Sequence, residues 1–286
     1  MLHADWLSNA ITVPYVPTLG PVHPDADIVE LFQTVIDLKA GEFLPFDKDQ
    51  RWSDHKDEIV LAREVEHRAD RTTIATLSHR SGGRVTVYHY AQTPPDLASA
   101  REHAGKLAAD HGAARSRVVW FPPGSPSAEV TLVRALLAPT YAPGRSPSRP
   151  ILALQDATPV LQAGFLRFAE HAGDGMAYLG RCWAAGRIDT PVLVSTDQDR
   201  IVGAIGPMQT SPSPTAALQL LPQYFAVLPG YRRAGHGRAL WRAAQQWGHR
   251  AGCSYQLLQV AAGSPAEELY HSEGVHSLGL VCSVTA

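Results

Sequence analysis

The chain has 286 residues, of which 45% are hydrophobic and 18% charged, a composition typical of about two folded domains with sizeable cores. The formal net charge of −2 argues against a general nucleic-acid-binding protein, and no apolar run approaches the ~20 residues of a membrane span. The three cysteines are far apart and the 13 histidines follow no metal-binding spacing, so we expect buried free thiols in a reducing cytoplasm and no metal site.

The first half of the chain begins acidic and then predicts one α/β unit. Residues 1–70 hold 14 Asp and Glu against 6 Lys and Arg, which fits a solvated surface or, alternatively, a face that attracts a cationic amine. A β-rich segment at 84–93 precedes an alanine-rich helix at 96–112. A strand from Ser116, the triplet Gly-Ser-Pro and another helix follow. Asp96 is placed to cap the alanine-rich helix, and the segment around it, "TPPDLASA", contains no glycine.

The segment Tyr141–Pro150 is rich in Pro, Ser and Gly and predicts a linker. After it we expect a strand at 150–158, helices at 159–173 and 175–187, a hairpin at 191–208 that turns at Asp197–Arg200, and a strand at 217–228. Pro222 interrupts the last of these and marks either a bulge or the true start of the strand. A helix, a strand at 254–263, a further helix and the terminal segment "SLGLVCSVT", which we expect to close the sheet, complete this half.

The two halves of the chain share one order of predicted elements. Each contains a β-rich segment, an alanine-rich helix, a strand, Gly-Ser-Pro and a helix, in that order. We therefore infer two copies of one α/β unit in tandem, residues 1–145 and 150–286, with chance similarity between alanine-rich helices as the alternative.

The most informative segment is "VLPGYRRAGHGRAL", Val227–Leu240, in which a strand, a basic glycine-containing turn and a helix follow one another. The first turn of a helix has N–H groups without partners and carries the positive end of the helix dipole, so it attracts anions. Glycines let the backbone approach a ligand closely. Three arginines lie in the segment and no Asp or Glu occurs from residue 200 to 266. This pattern predicts a diphosphate site.

Two common phosphate-binding motifs are excluded here. A dinucleotide fingerprint needs G-x-G-x-x-G and an acidic residue on the next strand, whereas this loop has only G-x-G and the strand "SYQLLQVAAG" has no acid. A P-loop needs G-K-[ST] after its glycines, which is absent.

The remaining pattern, R-x-x-G-x-G at Arg232, Gly235 and Gly237, resembles the pyrophosphate loop of the GNAT superfamily, the acetyl-CoA-dependent N-acetyltransferases. The preceding Val-Leu-Pro resembles the family's V-x-P at the end of its fourth strand. A second block, "AEELYHSEGV", resembles the family's A-x-x-L-Y-x-x-x-G-F, with Val275 in place of the usual Phe. Its matching residues are Ala266, Leu269, Tyr270 and Gly274.

The resemblance implies a mixed α/β fold made of two tandem GNAT-like domains, each with a mixed central sheet flanked by helices. The copy at 1–145 is then degenerate, because two prolines and Asp96 stand where its glycine loop should be. Only the copy at 150–286 is expected to bind acetyl-CoA and to be catalytic.

The resemblance also implies roles for individual residues. The backbones of Phe225 and Val227 would pair with pantetheine, with the Val227 amide facing the thioester oxygen, and Tyr270 would donate a proton to the sulfur. The diphosphate would be held by a set of loop residues: Arg232, Arg233, Gly235, Gly237 and Arg238. His236 is expected to pack beneath the loop. No general base is assigned, because the fourth strand has no carboxylate and its polar residues are Gln219, Gln223 and Tyr224. The amine loses its proton either to water or to a group from elsewhere, such as Asp174, Asp197, His271 or an acid of the first half.

The expected function is therefore transfer of an acetyl group from acetyl-CoA to a primary amine of a small molecule, directly within a ternary complex. We expect a cytoplasmic monomer or homodimer without a signal peptide and with no nucleic-acid or membrane partner. Two alternatives stay open: transfer of a longer or carrier-protein-linked acyl group, and a non-catalytic CoA-binding regulatory module.

Overall fold

The computed structural model describes residues 11–39, 41–122, 130–140 and 146–286. Its strands are β1 Tyr15–Val16, β2 Gly20–Pro21, β3 Glu58–Val60, β4 Glu66–His67, β5 Arg71–Ser78, β6 Arg84–Ala91, β7 Arg115–Trp120, β8 Thr131–Pro139, β9 Leu152–Ala153, β10 Leu193–Asp197, β11 Arg200–Gly206, β12 Thr210–Pro212, β13 Leu218–Leu220, β14 Tyr224–Val227, β15 Tyr255–Ala261 and β16 His276–Thr285. Its α-helices are α1 Ile28–Asp37, α2 Leu97–Asp110, α3 Pro159–Ala172, α4 Asp174–Ala184, α5 His236–Arg250 and α6 Pro265–Ser272.

The fold is mixed α/β, as predicted, and the chain divides into two compact units. The first comprises Met1–Leu137, Ser213–Ala216 and Leu257–Ala286, and the second comprises Ala138–Pro212 and Ala217–Gln256. This partition differs from the expected halves, 1–145 and 150–286, chiefly because the last thirty residues group with the first unit. The helix predicted after Gly124-Ser-Pro is wrong in its described part: Thr131–Pro139 form strand β8, which pairs with β16, while residues 123–129 lie outside the described residues. Pairing with a distant strand overrides the local helical preference of this segment.

The first unit contains a sheet of order β15-β8-β16-β7-β6-β5-β3, with β4 also paired to β5. β6 and β7 are parallel and the β5–β6 and β16–β7 pairs are antiparallel. The helix α2, capped by Asp96 as predicted, covers one face through Ala104 and Leu107, which pack with the valines of β6 and β7. The other face packs against α1 and the segment that precedes it.

The terminal segment does not close the sheet of its own half. Instead β16 lies between β7 and β8, with Ser283 opposite Val119 and Val281 opposite Val133. Both neighbours come from the first half of the chain, and their ladders are what join residues 257–286 to the first unit. An alternating strand pattern predicts which face a strand buries but not which strand it pairs with, so the sequence could not reveal this exchange.

The second unit contains a sheet of order β14-β11-β10-β9 and the short strands β12 and β13 with the start of β15. The predicted hairpin is confirmed, with Asp197 paired to Arg200 across its turn. The helices α3 and α4 pack on the face that carries Ala204. A Cβ on the adjacent Gly203 would lie 2.9 Å from Leu240 of α5, so α5 lies on the opposite face and needs this glycine for its close approach.

Candidate functional site

The predicted strand at 217–228 is broken at Pro222 into two strands with different partners. Before the break, β13 runs parallel to β15, with Gln219 opposite Tyr255. After it, β14 runs antiparallel to β11, with Val227 opposite Gly203. Proline has no N–H to donate to a ladder, so it suits the point where the chain changes partner. Because β14 ends the order of its sheet, its second edge has no partner strand within the described residues.

The alternation of backbone hydrogen bonds along β14 decides which residues direct their N–H and C=O groups to that open edge. The Leu228 N–H donates to the Val202 carbonyl at 2.9 Å, just beyond the paired strand residues. In an antiparallel pair, bonded and non-bonded residues alternate, so Ala226 also points its N–H and C=O toward β11. Phe225 and Val227 therefore direct their backbone groups to the open edge.

A buried amide network ties the start of β14 to the start of β15. The Gln256 Nε2 donates to Gln223 Oε1 at 2.7 Å and to the Leu221 carbonyl at 3.3 Å. The Gln245 Nε2 of α5 donates to Gln256 Oε1 at 2.8 Å, and Gln256 is fully buried. No ladder joins β14 to β15, so these bonds connect the two strands only near their starts, and the far edge of β14 has no partner strand among the described residues.

The loop after β14 prepares the start of α5. A single 3₁₀ turn at Pro229–Tyr231 is followed by four turn residues, and the last of them, Gly235, adopts φ +87° as the N-cap of α5. A left-handed conformation strongly favours glycine, and among the described side chains none caps this helix. The first intrahelical bond runs from Ala239 N–H to the Gly235 carbonyl at 3.0 Å, so the amides of residues 236–238 precede the helical ladder.

Arginines surround these amides. Arg232, Arg233 and Arg238 are exposed. Arg233 has φ +62°, a strained conformation for a residue with a side chain and one that is often found at binding sites. The Arg232 Nε donates to the Val227 carbonyl at 3.2 Å, which brings a guanidinium to the open edge of β14. The predicted phosphate-binding residues are thus brought together at one place in the second unit.

Arg149 also belongs to this cluster, and the sequence analysis missed it. Its Nε donates to the Ala234 carbonyl at 2.9 Å and lies 3.6 Å from the position that a Cβ would take on Gly235. It lies within the predicted linker, 85 positions before the carbonyl it contacts. No local motif could have identified it, because the contact joins segments 85 positions apart in the sequence.

His236 is packed beneath the loop, as expected. Only 3% of it is exposed, its Nδ1 lies 2.8 Å from the Ser195 hydroxyl, and the Tyr231 ring meets it edge-on at 6.1 Å. Burial lowers the pKa of His236, and the nearby charge of Arg149 acts in the same direction. The ring is therefore neutral near pH 7 and serves to support the loop.

Tyr270 lies on α6, in the first unit, and only 7% of it is exposed. Burial raises the pKa of its phenol to about 12, which keeps the hydroxyl protonated at neutral pH. The loop belongs to the second unit, so the role of Tyr270 toward the cofactor stays a prediction.

The start of α6 is fixed by contacts that the sequence analysis did not identify. Ser264 accepts a hydrogen bond from the Glu267 N–H, and the Glu267 carboxylate accepts one from the Gly263 N–H at 2.5 Å and pairs with Arg134 of β8. Burial opposes ionisation of Glu267, but these hydrogen bonds outweigh it and lower its pKa. The S-x-x-E pattern of a capping box was the available signal for the helix start.

The parallel strands β6 and β7 of the first unit, unlike β14 and β15, are joined in one ladder. β6 and β7 pair without interruption from Arg84 opposite Arg115 to His89 opposite Trp120. At the start of the following helix, the Asp96 carboxylate accepts a hydrogen bond from the Ala98 N–H. An acidic cap at that place would repel a phosphate. These features explain physically why the first half differs from the second.

The described part of the chain shows neither a metal-binding cluster nor a membrane-spanning helix. Among those residues, no three His, Cys, Asp or Glu side chains are grouped so as to hold a metal ion. None of the helices there combines the length and apolarity that a bilayer span requires.

Comparison with known proteins gives the following matches. A family model described as an acetyltransferase (GNAT) domain matches residues 189–275. A GCN5-related N-acetyltransferase from Sphaerobacter thermophilus has a similar structure, with 14% identity, a TM-score of 0.52, and coverage of 92% of this chain and 87% of that one. A GNAT-family acetyltransferase from Colwellia psychrerythraea is 11% identical with a TM-score of 0.50, over 90% of this chain and 95% of that one. No curated protein sequence matches.

The matched range contains the hairpin, β14, the arginine-flanked loop and α6. The structural matches extend over nearly the whole chain and concern the fold. The chain therefore contains a GNAT acetyltransferase domain at residues 189–275, within the fold of GNAT acetyltransferases.

Proposed function

We propose that this protein transfers the acetyl group of acetyl-CoA to a primary amine of a small molecule, directly within a ternary complex. The proposal is supported by one observation, that two features suited to a CoA thioester adjoin each other in the second unit. An open strand edge at β14 leads to an uncapped helix start flanked by arginines. The first feature suits the amide-containing pantetheine arm and the second suits a diphosphate.

The residues present fit such a cofactor. The amides of residues 236–238 and the side chains of Arg232, Arg233 and Arg238 would hold the diphosphate, since the helix dipole and the guanidinium charges act together there. Arg149 would add a further charge from the preceding segment. The backbone groups of Phe225 and the N–H of Val227 would pair with the amides of the pantetheine arm, as a partner strand does.

Acetyl-CoA supplies an acetyl group activated as a thioester. The Val227 N–H would donate to the carbonyl oxygen, where negative charge builds as the amine adds to the carbon. Tyr270 would donate a proton to the sulfur as the carbon–sulfur bond breaks. Its raised pKa means that it is present as the donor at every physiological pH.

No residue is assigned as the general base. The segment from 200 to 266 contains no carboxylate, and Gln223 is occupied by its bonds to Gln256 and the Leu221 carbonyl. Asp174 and Asp197 are exposed at a helix start and a hairpin turn, and His271 lies 3.5 Å from Glu267. Loss of the amine proton to water is compatible with all these positions.

A thiol-release assay with acetyl-CoA and a panel of primary amines tests the proposal. We expect turnover with at least one amine, and a Tyr270→Phe variant that binds CoA as the wild type does but turns over about a hundredfold more slowly. Turnover only with a long-chain or carrier-linked thioester would instead favour the broader acyltransferase. CoA binding with no turnover of any thioester, and an unchanged Tyr270→Phe variant, would favour a regulatory module.

A further inference from the structure

The first unit contains a pocket of about 310 Å³ that the acetyl-transfer proposal does not use. Its floor is formed by three valines of adjacent strands, Val119 on β7, Val281 on β16 and Val133 on β8. Val281 is opposite Val133, and Ser283, two residues further on, is opposite Val119, so the three side chains emerge on one face of the sheet. The other lining residues are Tyr15, Tyr88, Arg117, Gln259, Val260 and Ala261.

Besides Val260 and Ala261, the walls of this valine-floored pocket contain four side chains that can donate hydrogen bonds: Tyr15, Tyr88, Arg117 and Gln259. Tyr88 and Arg117 rise from the same face of β6 and β7. Tyr15 comes from β1, its ring lies 6.0 Å from that of Tyr88, and its hydroxyl is hydrogen-bonded to the Gln259 side chain. A guanidinium and two phenols thus line a space whose floor is apolar. Small-molecule sites commonly combine an apolar surface with a few convergent polar groups in this way.

Arg117 has no carboxylate partner among the described residues. One of its terminal nitrogens donates to the Ser283 hydroxyl at 2.6 Å, which fixes the guanidinium at the pocket wall. A guanidinium has five N–H donors in a planar fork, and that fork matches the geometry of a carboxylate. A half-buried arginine bonded to a single hydroxyl therefore retains capacity for an anion.

The carboxylate whose charge acts on both phenols, Glu58, does not occupy this space. Glu58 lies outside the pocket lining, and its Oε1 accepts a hydrogen bond from the Thr76 hydroxyl at 2.6 Å. Burial raises the pKa of Tyr15 and raises that of Tyr88 well above the ordinary value, and the charge of Glu58 acts in the same direction on both. The two phenols consequently stay protonated near pH 7, and the Tyr88 hydroxyl can act as a donor.

We propose that this pocket binds a small organic carboxylate, with the carboxylate against Arg117 and the Tyr88 hydroxyl and the apolar body on the three valines. The donor-rich wall selects an anion, and a planar carboxylate fits the guanidinium fork. The volume lies at the lower end of the range for ligand pockets, which limits the occupant to a small molecule. This site is separate from the acetyl-CoA proposal and does not depend on it.

Titration of the full-length protein with benzoate and cyclohexanecarboxylate, each compared with its primary amide, tests this site. Calorimetry measures affinity, and ¹³C-methyl NMR of the valines locates the ligand. We expect both acids to bind at least about tenfold more tightly than their amides and to shift the methyl signals of Val119, Val133 and Val281. Equal affinity of acid and amide, or no shift of these signals with either acid, would overturn the proposal.

Three variants isolate the groups involved. Arg117→Met should weaken binding of the acids about tenfold or more, while Arg115→Met, an exposed arginine on the same strand, should leave it unchanged. Tyr88→Phe keeps the ring and removes only the hydroxyl, so it should weaken the acids several-fold even if Arg117→Met fails to fold. If Tyr88→Phe binds the acids as tightly as the wild type does, and Arg117→Met either does the same or misfolds, the acids bind elsewhere.

Discussion

Replacing Gly237 with aspartate should prevent CoA binding without destabilising the fold. Gly237 is the second residue of α5 and is half-buried. A helical glycine costs roughly 1 kcal/mol relative to alanine, and an acidic residue in the first turn contributes roughly 0.3–1 kcal/mol through the helix dipole. The variant should therefore fold at least as stably as the wild type.

The same charge should prevent CoA from binding. A carboxylate about 5 Å from a phosphate charge, at an effective dielectric constant of about 20, gives roughly 3 kcal/mol of repulsion, or more than a hundredfold in affinity. Calorimetric titration with CoA measures this effect. Gly237→Asn is the matched control, because it has nearly the same size without the charge and should bind CoA more tightly than Gly237→Asp by about that factor.

Two results would refute this reasoning. If Gly237→Asp binds CoA as tightly as Gly237→Asn, no phosphate lies near the start of α5. If both bind as the wild type does, the ligand does not approach this backbone at all.

Three further predictions concern the neighbouring residues. Val227→Pro removes an N–H that faces the open edge, so it should slow acetyl transfer about a hundredfold with little change in thermal stability. Ala226→Pro removes an N–H that faces β11, so it should lower the free energy of unfolding by about 3 kcal/mol. Equal melting temperatures of the two variants would contradict the assignment of the Ala226 N–H to β11 and of the Val227 N–H to the open edge. Arg149→Met should weaken CoA binding several-fold, with an effect that decreases as salt is added, whereas a salt-independent change would indicate lost packing. The lowered pKa of His236 means that the folded state prefers the neutral ring, so the free energy of unfolding should decrease as the pH falls below about 6.5. His236→Gln should flatten this pH dependence in denaturation measurements. An unaltered profile would exclude His236 as its source.

The part of the site that sequence could predict is the part encoded locally. The glycine at 235 and the adjacent arginines specify a turn and a helix start within a few residues, and the structure places both there. Pro222 likewise predicted an interruption, because a residue without an N–H cannot continue a ladder. What the sequence did not specify was that the two sides of the break pair with different strands.

The remaining features depend on contacts between distant parts of the chain. The alternation in "SLGLVCSVT" is the same whichever strand lies beside it, so the position of β16 between β7 and β8 had no local signature. The contact between Arg149 and the Ala234 carbonyl and the pair of Arg134 with Glu267 each join segments more than eighty residues apart. Such contacts follow from the assembled fold and not from spacing.

The most direct measurement is a crystal structure of the protein with CoA. We expect the diphosphate on the amides of residues 236–238, between the guanidinium groups of Arg232 and Arg238, with the pantetheine arm paired to the backbone of Phe225 and Val227. CoA bound elsewhere, or a structure in which the edge of β14 is covered by protein while CoA is bound, would contradict the assignment of this site.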